Sequence, residues 1–317
     1  MTGVPALELD ELTRTFGDRA VVEALSFRVA PGAVFGFLGP NGAGKTTTLR
    51  MILGLVAPSS GRMSVLGASD GRRVRDRIGF LPEERGLHPR MTPLQAAAFL
   101  GGLKGVAPAV ARRKARTMLE QLGLGYAANT QIRRLSKGMA QQAALVCTLI
   151  HDPELIILDE PFSGLDPTHQ QGLEALIRER SSKGATIVFS THVMSHAERL
   201  CDQVLLLAGG RKVFDGTVQE ARSRAPGRLV LEGGLEVTDV RGLPGVIAVN
   251  AAGSAANDGD LRLEVELAPG AEAHETLSAA FRGGLAVRRF ESREPGLHEA
   301  FLLLTGAGPR LPEAAGA

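Results

Sequence analysis

Eight consecutive residues, Gly39-Pro40-Asn41-Gly42-Ala43-Gly44-Lys45-Thr46, limit what this chain can fold into more than any other segment. They follow an apolar run at 34–38 and precede Thr47-Thr48-Leu49-Arg50-Met51-Ile52-Leu53, which reads as a helix. A strand, a glycine-rich turn and a helix in that order form the context of a phosphate-binding loop. The glycines let backbone N–H groups turn inward around phosphates, and the helix N-terminus adds a field that favours anions. In such a loop Lys45 reaches the β- and γ-phosphates of a nucleoside triphosphate, and the Thr46 hydroxyl coordinates Mg2+. An ordinary glycine-rich turn is the rival reading.

A second element strengthens the first. Leu155-Ile156-Ile157-Leu158-Asp159-Glu160 is an apolar run that ends in two acids. Phosphate-loop enzymes place a carboxylate beside Mg2+ in this way, which makes Asp159 a metal-ligand candidate. Glu160 falls just past the strand end, where a carboxylate can polarise an attacking water. Alone this run is a weak signal, since many strands end in solvated acids. Paired with the loop it is a strong one.

Composition narrows the class of partner. Of 317 residues 44% are hydrophobic, enough for a sizeable core, and the formal net charge of +2 is too small for a surface that coats nucleic acid. Aromatic residues make up 4%, with no Trp, which speaks against base-stacking platforms. Cys147 and Cys201 lie in apolar segments and form no metal-ligand pattern, so both are expected to be buried free thiols. The first ten residues lack the basic start and apolar block of a signal peptide, and no apolar run approaches the length of a membrane span. A chain soluble on its own is the expectation.

Three zones follow one another. Residues 1–225 alternate strand-like runs (34–38, 78–82, 155–158, 186–190 and 204–207) with helical patterns and carry all the chemical motifs. Several of the runs are apolar throughout, as parallel strands covered on both faces are. A helical stretch at about 91–151, punctuated by Pro93, Gly105 and Pro108, reads as an insert in this sheet domain. Beyond Ala225-Pro226-Gly227 come short strand candidates at 228–232, 246–250, 261–267 and 285–290, with helical patterns at 271–281 and 297–304. Residues 226–306 are therefore expected to form a small α+β domain, and 307–317 a disordered tail.

At this point a family resemblance enters. Leu135-Ser136-Lys137-Gly138-Met139 resembles the signature sequence of ABC-type ATPases, and Pro161-Phe162-Ser163-Gly164-Leu165-Asp166 resembles their D-loop. Ser190-Thr191-His192 is similar to the switch-histidine segment, and Phe16 sits where the family stacks an aromatic ring on adenine. Taken singly each has a plain structural reading. Ser136 is a good helix N-cap, Asp166 a turn residue, His192 a surface histidine and Phe16 core. Six elements in the family order, over residues 5–215, are specific.

The resemblance implies an α/β fold: a P-loop NTPase (RecA-like) sheet core with a helical insert, plus the small C-terminal α+β domain. It also implies an ATPase that binds ATP and Mg2+. Gly39, Pro40, Asn41, Gly42, Ala43, Gly44, Lys45, Thr46, Thr47, Phe16 and Glu83 would hold the nucleotide, with Ser136, Gly138 and Asp166 acting across an interface. Thr46, Asp159 and Glu83 would hold the metal, and Glu160 and His192 would be catalytic. In the family the signature of one subunit caps the ATP on the loop of another. One copy of each motif without a tandem repeat therefore implies a dimer, with itself or with a similar ATPase chain. The other implied partner is an integral membrane permease, which places the protein in the cytoplasm on the inner face of the membrane. Nucleic acid is not an implied partner.

Two positions depart from the family pattern. Glu83 stands where Gln is usual, so it can bind Mg2+ through oxygen but cannot donate a hydrogen bond. Lys137 and Met139 replace Gly and Gln in the signature, and Lys137 either adds charge near a partner's phosphates or faces solvent. These features, with Pro82-Glu83-Glu84-Arg85-Gly86-Leu87 and the closing segment 297–306, resemble an export-type subset similar to sodium or drug efflux ATPases. The alternative is a soluble ABC ATPase acting on a non-transport partner. Such proteins usually carry two fused ATPase units or a long coiled-coil insertion, and this sequence shows neither.

Overall fold

The computed structural model describes residues 4–84, 86–254 and 260–306. The tail expected at 307–317, and Arg85, lie outside the described residues. The chain divides into two compact units, Met1–Asp215 and Gly216–Ala317.

The first unit runs β1 (Leu7–Phe16), β2 (Arg19–Val29), β3 (Val34–Leu38), α1 (Lys45–Ile52), β4 (Ser60–Val65), β5 (Ile78–Leu81), α2 (Pro93–Leu103), α3 (Pro108–Gln121) and α4 (Lys137–Leu149). It continues with β6 (Leu155–Asp159), α5 (Pro167–Ser182), β7 (Thr186–Thr191), α6 (Met194–Leu200), β8 (Gln203–Ala208) and β9 (Arg211–Thr217). A six-stranded sheet has the order β5-β6-β7-β3-β8-β9, and its ladders from β5 to β8 are parallel. Every residue of β3, β6 and β7 is buried, as the continuous apolar runs predict for strands covered on both faces.

A separate antiparallel sheet, β2-β1-β4, has no counterpart among the strands expected from the sequence. Its pattern is broken: β1 shifts register against β2 between Leu9 and Leu12, with Glu11 at φ +49°. Such an irregularity scrambles the period-2 signal that marks a half-exposed strand. The edge strand β9, half-buried at most, escaped for the same lack of an apolar run. Phe27 of β2 stacks on Phe35 of β3 at 5.3 Å and meets Phe37 edge-on at 5.2 Å, which welds the two sheets. Leu7, Leu25, Leu49, Val188 and Leu205 complete this core. Each buried side chain of this size contributes roughly 1.5–3 kcal/mol.

The helical insert is framed by its caps. Thr92 and Gln95 form a reciprocal capping box around Pro93 at the start of α2, and Pro108 opens α3. Helix α2 packs on both α3 and α4. Both cysteine thiols are pushed up by burial, Cys147 to about 12, which keeps them as inert thiols.

The second unit begins with α7 (Val218–Arg222), followed by β10 (Gly227–Gly234), α8 (Val237–Arg241), β11 (Val246–Ser254), β12 (Leu261–Leu267), α9 (Ala273–Arg282), β13 (Ala286–Arg293) and α10 (Leu297–Leu304). Its antiparallel sheet has the order β11-β12-β10-β13, the split β-α-β-β-α-β arrangement. Opposed pairs Leu229↔Val265 and Leu231↔Leu263 put one face of the sheet into a core with Leu277 of α9 and Val240 of α8. Among the described residues no helix is long and apolar enough to cross a membrane.

Candidate functional site

Three neighbouring parallel strands, β6, β7 and β3, end at one edge of the sheet and deliver the polar groups there. Open α/β sheets bind ligands at that edge, beyond the carboxyl ends of the strands. From β3 the chain enters residues 39–44. A Cβ on Gly39, at φ +152°, would overlap the Leu207 carbonyl oxygen. Gly44 caps α1 at φ +99°, and a Cβ there would lie 2.7 Å from the Val21 carbonyl oxygen. Only glycine fits either place, so the loop's geometry depends on its composition.

Residues 41–47, with Val21, Glu83 and Glu160, line a cavity of about 270 Å3. The first N–H groups of α1 have no intrahelical partner and, with the helix dipole, favour an anion. Lys45 is 7% exposed. Its Nζ donates to the carbonyls of Gly39 (2.7 Å) and Pro40 (3.2 Å) and lies 3.7 Å from Glu160 Oε1. An ammonium held by weak neutral acceptors beside a carboxylate is ready to move to a polyanion.

From β6 come Asp159 and Glu160, and from β7 come Ser190, Thr191 and His192. The Thr46 hydroxyl donates to Asp159 Oδ1 at 3.2 Å, and the Ser190 hydroxyl donates to the same oxygen. Ser190 Oγ also accepts from the Glu160 amide at 3.0 Å. Glu160 itself sits at φ +48°, a left-handed conformation that costs a non-glycine residue about 1–3 kcal/mol. Ser190 therefore anchors both the metal-type carboxylate and the strained glutamate. The sequence reading passed over it, although Ser190 is the register partner of Asp159 on β7. A serine one strand over, at the level of the acid, was the available signal.

His192 is half-exposed, and its Nδ1 lies 3.0 Å from Glu160 Oε1. Glu160, 8% exposed, is thus held between an ammonium and an imidazole. Such a carboxylate can accept a proton from a bound water while its neighbours meet a growing negative charge.

Of the remaining candidates, Phe16, Ser136, Gly138 and Asp166 are not among the cavity's lining residues. Ser136 is exposed and caps α4, its Oγ accepting from the Met139 amide at 3.2 Å. A Cβ on Gly138 would come within 3.3 Å of the Gly164 carbonyl oxygen, and the stem of Lys137 lies over Gly164. The signature-like and D-loop-like segments are therefore packed on each other. Asp166 caps α5, accepting from the amides of Thr168 (3.0 Å) and His169 (3.1 Å) and from the His169 ring at 2.5 Å. Those His169 contacts hold its carboxyl below the usual range. Phe16 is half-exposed at the end of β1, with the Arg14 guanidinium 4.3 Å from its ring centroid.

The sequence model of a family described as ABC transporter matches residues 22–163. The uncharacterized ABC transporter ATP-binding protein YhaQ of Bacillus subtilis (strain 168) is 34% identical over 95% of this chain and 99% of its own length. The Nod factor export ATP-binding protein I of Rhizobium etli is 38% identical over 72% of this chain and 73% of its own length. A solved structure described as the ATP binding subunit of an ABC transporter superposes with a TM-score of 0.64 and 33% identity, over 68% of this chain and 92% of that one.

Proposed function

Since the chain belongs to the ABC transporter ATP-binding proteins, and is an ATPase of that family, we propose the following assignment of roles. The observation that carries it is the buried Glu160 carboxylate, held by Lys45 and His192 at the mouth of the glycine-rich loop. The triphosphate of ATP lies along residues 39–47, with Lys45 leaving its own loop carbonyls for the β- and γ-phosphates. Glu160 orients the attacking water and takes its proton. His192, fixed through Nδ1 by Glu160, meets charge on the γ-phosphate with its other nitrogen. Arg14 covers one face of Phe16, and the adenine takes the other. Phosphoryl transfer needs positioning and charge neutralisation above all, and these groups supply both.

Thr46 and Asp159 present hard oxygen donors 3.2 Å apart beside the cavity, a donor set that fits Mg2+, with the Glu83 carboxylate at the rim as a third. Bound there, Mg2+ would neutralise phosphate charge.

Ser136, Gly138 and Asp166 serve the ATP of a second chain, so two subunits form two composite sites by two-fold symmetry. The exposure of Ser136 and Asp166 supports this reading. The ATPase domain comprises residues 1–225 with its insert at about 91–151, and residues 226–306 form an accessory domain that stabilises or regulates the dimer. The division of the chain near Asp215 supports two domains, with α7 joining the second. The subunit docks on the inner face of a membrane and energises a separate permease. Export of a small molecule is the favoured direction, given the 38% identity to a Nod factor export ATP-binding protein.

ATP hydrolysis by the purified chain, with its mass measured in ATP, tests the assignment. Glu160→Gln is expected to lower turnover about 100-fold or more and to trap an ATP-dependent dimer. Unchanged turnover would remove Glu160 from the mechanism.

A further inference from the structure

Strand β13 ends one side of the second unit's sheet, and its outer edge is open. It stands last in the order β11-β12-β10-β13, and every residue from Arg288 to Arg293 is exposed. Among the described residues its backbone pairs with β10 alone, apart from a hydrogen bond from the Val287 N–H to the Leu285 carbonyl. An unpaired edge is a template for another strand, and proteins guard such edges with bulges and charges. This edge has both: Arg288 is the extra residue where the register against β10 shifts, and Arg289, Glu291 and Arg293 follow it. Phe290 opposes Leu231 of the core, so it leaves the sheet face on which α9 packs, whereas Arg289, Glu291 and Arg293 leave the other. Its ring meets the ring of Phe281 on α9 edge-on, with centroids 6.4 Å apart, and both residues are 51% exposed. An apolar pair therefore lies in water beside the open edge.

The charges admit one register for a second copy of this strand. Two identical antiparallel strands are related by a two-fold axis, and opposed residues share a sheet face, so one residue must oppose its own copy. With Arg289, Glu291 or Arg293 at that place, like charges stand opposite one another, which destabilises the pair. With Ser292 there, Phe290 faces Glu294, and Arg289 faces Pro295, which has no N–H to give. With Phe290 there, Arg289 opposes Glu291 on both sides of the axis, and the two Phe290 rings meet. Arg289 is loosely held in the single chain: its guanidinium lies 3.9 Å from Glu232, which is nearer to Arg262 at 3.3 Å. Glu291, 2.8 Å from Arg293 Nε, gains a second cation.

We propose that β13 pairs with β13 of a second copy of this chain, antiparallel and centred on Phe290, so that two four-stranded sheets become one continuous sheet. Cross-strand ion pairs between Arg289 and Glu291 fix the register on the open face. On the other face Phe290 and Phe281 of both copies cover one another, and cross-strand aromatic pairs are among the favourable ones. The bulge and the alternating charges guard the edge against other strands and other registers, and leave this one. This pairing deepens the dimer-stabilising role proposed for residues 226–306 and rests on that reading; unlike the composite ATP sites, it needs no nucleotide.

The test uses the full-length chain without nucleotide, sedimented over a concentration series, with cysteine cross-linking beside it. Wild type is expected to self-associate. Arg289→Glu and Glu291→Arg each set like charges opposite one another twice and are each expected to weaken association about ten-fold or more. The double variant restores opposite charges and is expected to recover it, which a merely misfolded single variant would not allow. Under mild oxidation Phe290→Cys is expected to give a disulfide-linked dimer, because each residue 290 faces its copy. Ser292→Cys is expected to stay monomeric on denaturing gels, since its copy lies about 13 Å along the strand. Cross-linking of Ser292→Cys in place of Phe290→Cys would overturn the register and with it the proposal. A chain that neither self-associates nor cross-links at 290, or single charge variants that associate as wild type does, would overturn it too. The ATP-dependent dimer of Glu160→Gln is read separately, so failure of the β13 pairing and failure of the composite ATP sites are told apart.

Discussion

Lys45 and Glu160 are 7% and 8% exposed and tied to one another, whereas Ser136 and Asp166, in the same unit, stand exposed and spend their oxygens on the helices they start. Around the glycine-rich loop each polar group has a partner inside the site: Thr46 and Ser190 on Asp159, Ser190 on the Glu160 amide, His192 on the Glu160 carboxylate. A buried polar cluster must be satisfied in this way, because an unmatched group there costs about 1–3 kcal/mol. The exposed group faces no such demand, and water meets what its helices do not. One region can therefore be complete in a single chain, while the other offers helix-start N–H groups to something outside it. On the proposed roles, the difference separates a pocket from half of an interface.

Mixing experiments would break that comparison most sharply. Lys45→Ala removes the phosphate contact, and Ser136→Arg blocks the exposed helix start. Each variant alone is expected to be inactive. If Ser136 acts on another chain's nucleotide, an equal mixture forms heterodimers in half of its pairs, and each carries one intact composite site. Roughly a quarter of wild-type hydrolysis should return. No recovery on mixing, with dimers present by mass, would mean that Ser136 serves its own loop.

Smaller effects separate the two regions by stability. Gly44→Ala forces a Cβ to 2.7 Å from the Val21 carbonyl at φ +99°, so it is expected to cost about 1–3 kcal/mol in denaturant unfolding and to abolish ATP binding. Asp166→Ala loses the cap and the contact with the His169 ring and is expected to lower stability slightly, with Asp166→Asn recovering most of the loss, since Asn caps as well as Asp. Hydrolysis that falls in Asp166→Asn while stability holds would show that the carboxylate does more than cap.

What the sequence made legible follows from where the free energy lies. The runs at 34–38, 155–158 and 186–190 had to be apolar throughout because both of their faces are buried, and the structure has strands at all three, extended to Asp159 and Thr191. Leu261–Leu267 and Leu297–Leu304 match the ranges read from periodicity. The sheet β2-β1-β4 was illegible because a register shift at Glu11 breaks its alternation and its burial comes from Phe27 meeting Phe35 across the chain. At the site, motif order was enough to name Asp159, Glu160 and His192, which share one corner. The bridging hydroxyl of Ser190 needed the parallel register of β6 and β7, which no local pattern carries.

The smallest predicted effect lies on the seam between the two regions. Phe162 follows Glu160 by two residues and leads toward Asp166, and its ring lies flat on buried His196 of α6, with centroids 4.1 Å apart. His196 Nδ1 lies 2.9 Å from an Arg199 terminal nitrogen and 3.6 Å from Glu174 Oε1. Burial, then the Arg199 charge, lowers the His196 pKa from 6.5, with Glu174 opposing in part. The folded chain therefore takes up this proton at lower pH than the unfolded chain does. Its stabilising contribution is whole above pH 6.5 and is lost as pH falls from there through the lowered value. Unfolding temperature measured from pH 8 to pH 5 should drop more in wild type than in His196→Gln, which keeps a polar group for Arg199 but does not titrate. Equal slopes would mean that His196 takes its proton in the folded state as readily as outside it, and that the stack on Phe162 is indifferent to charge.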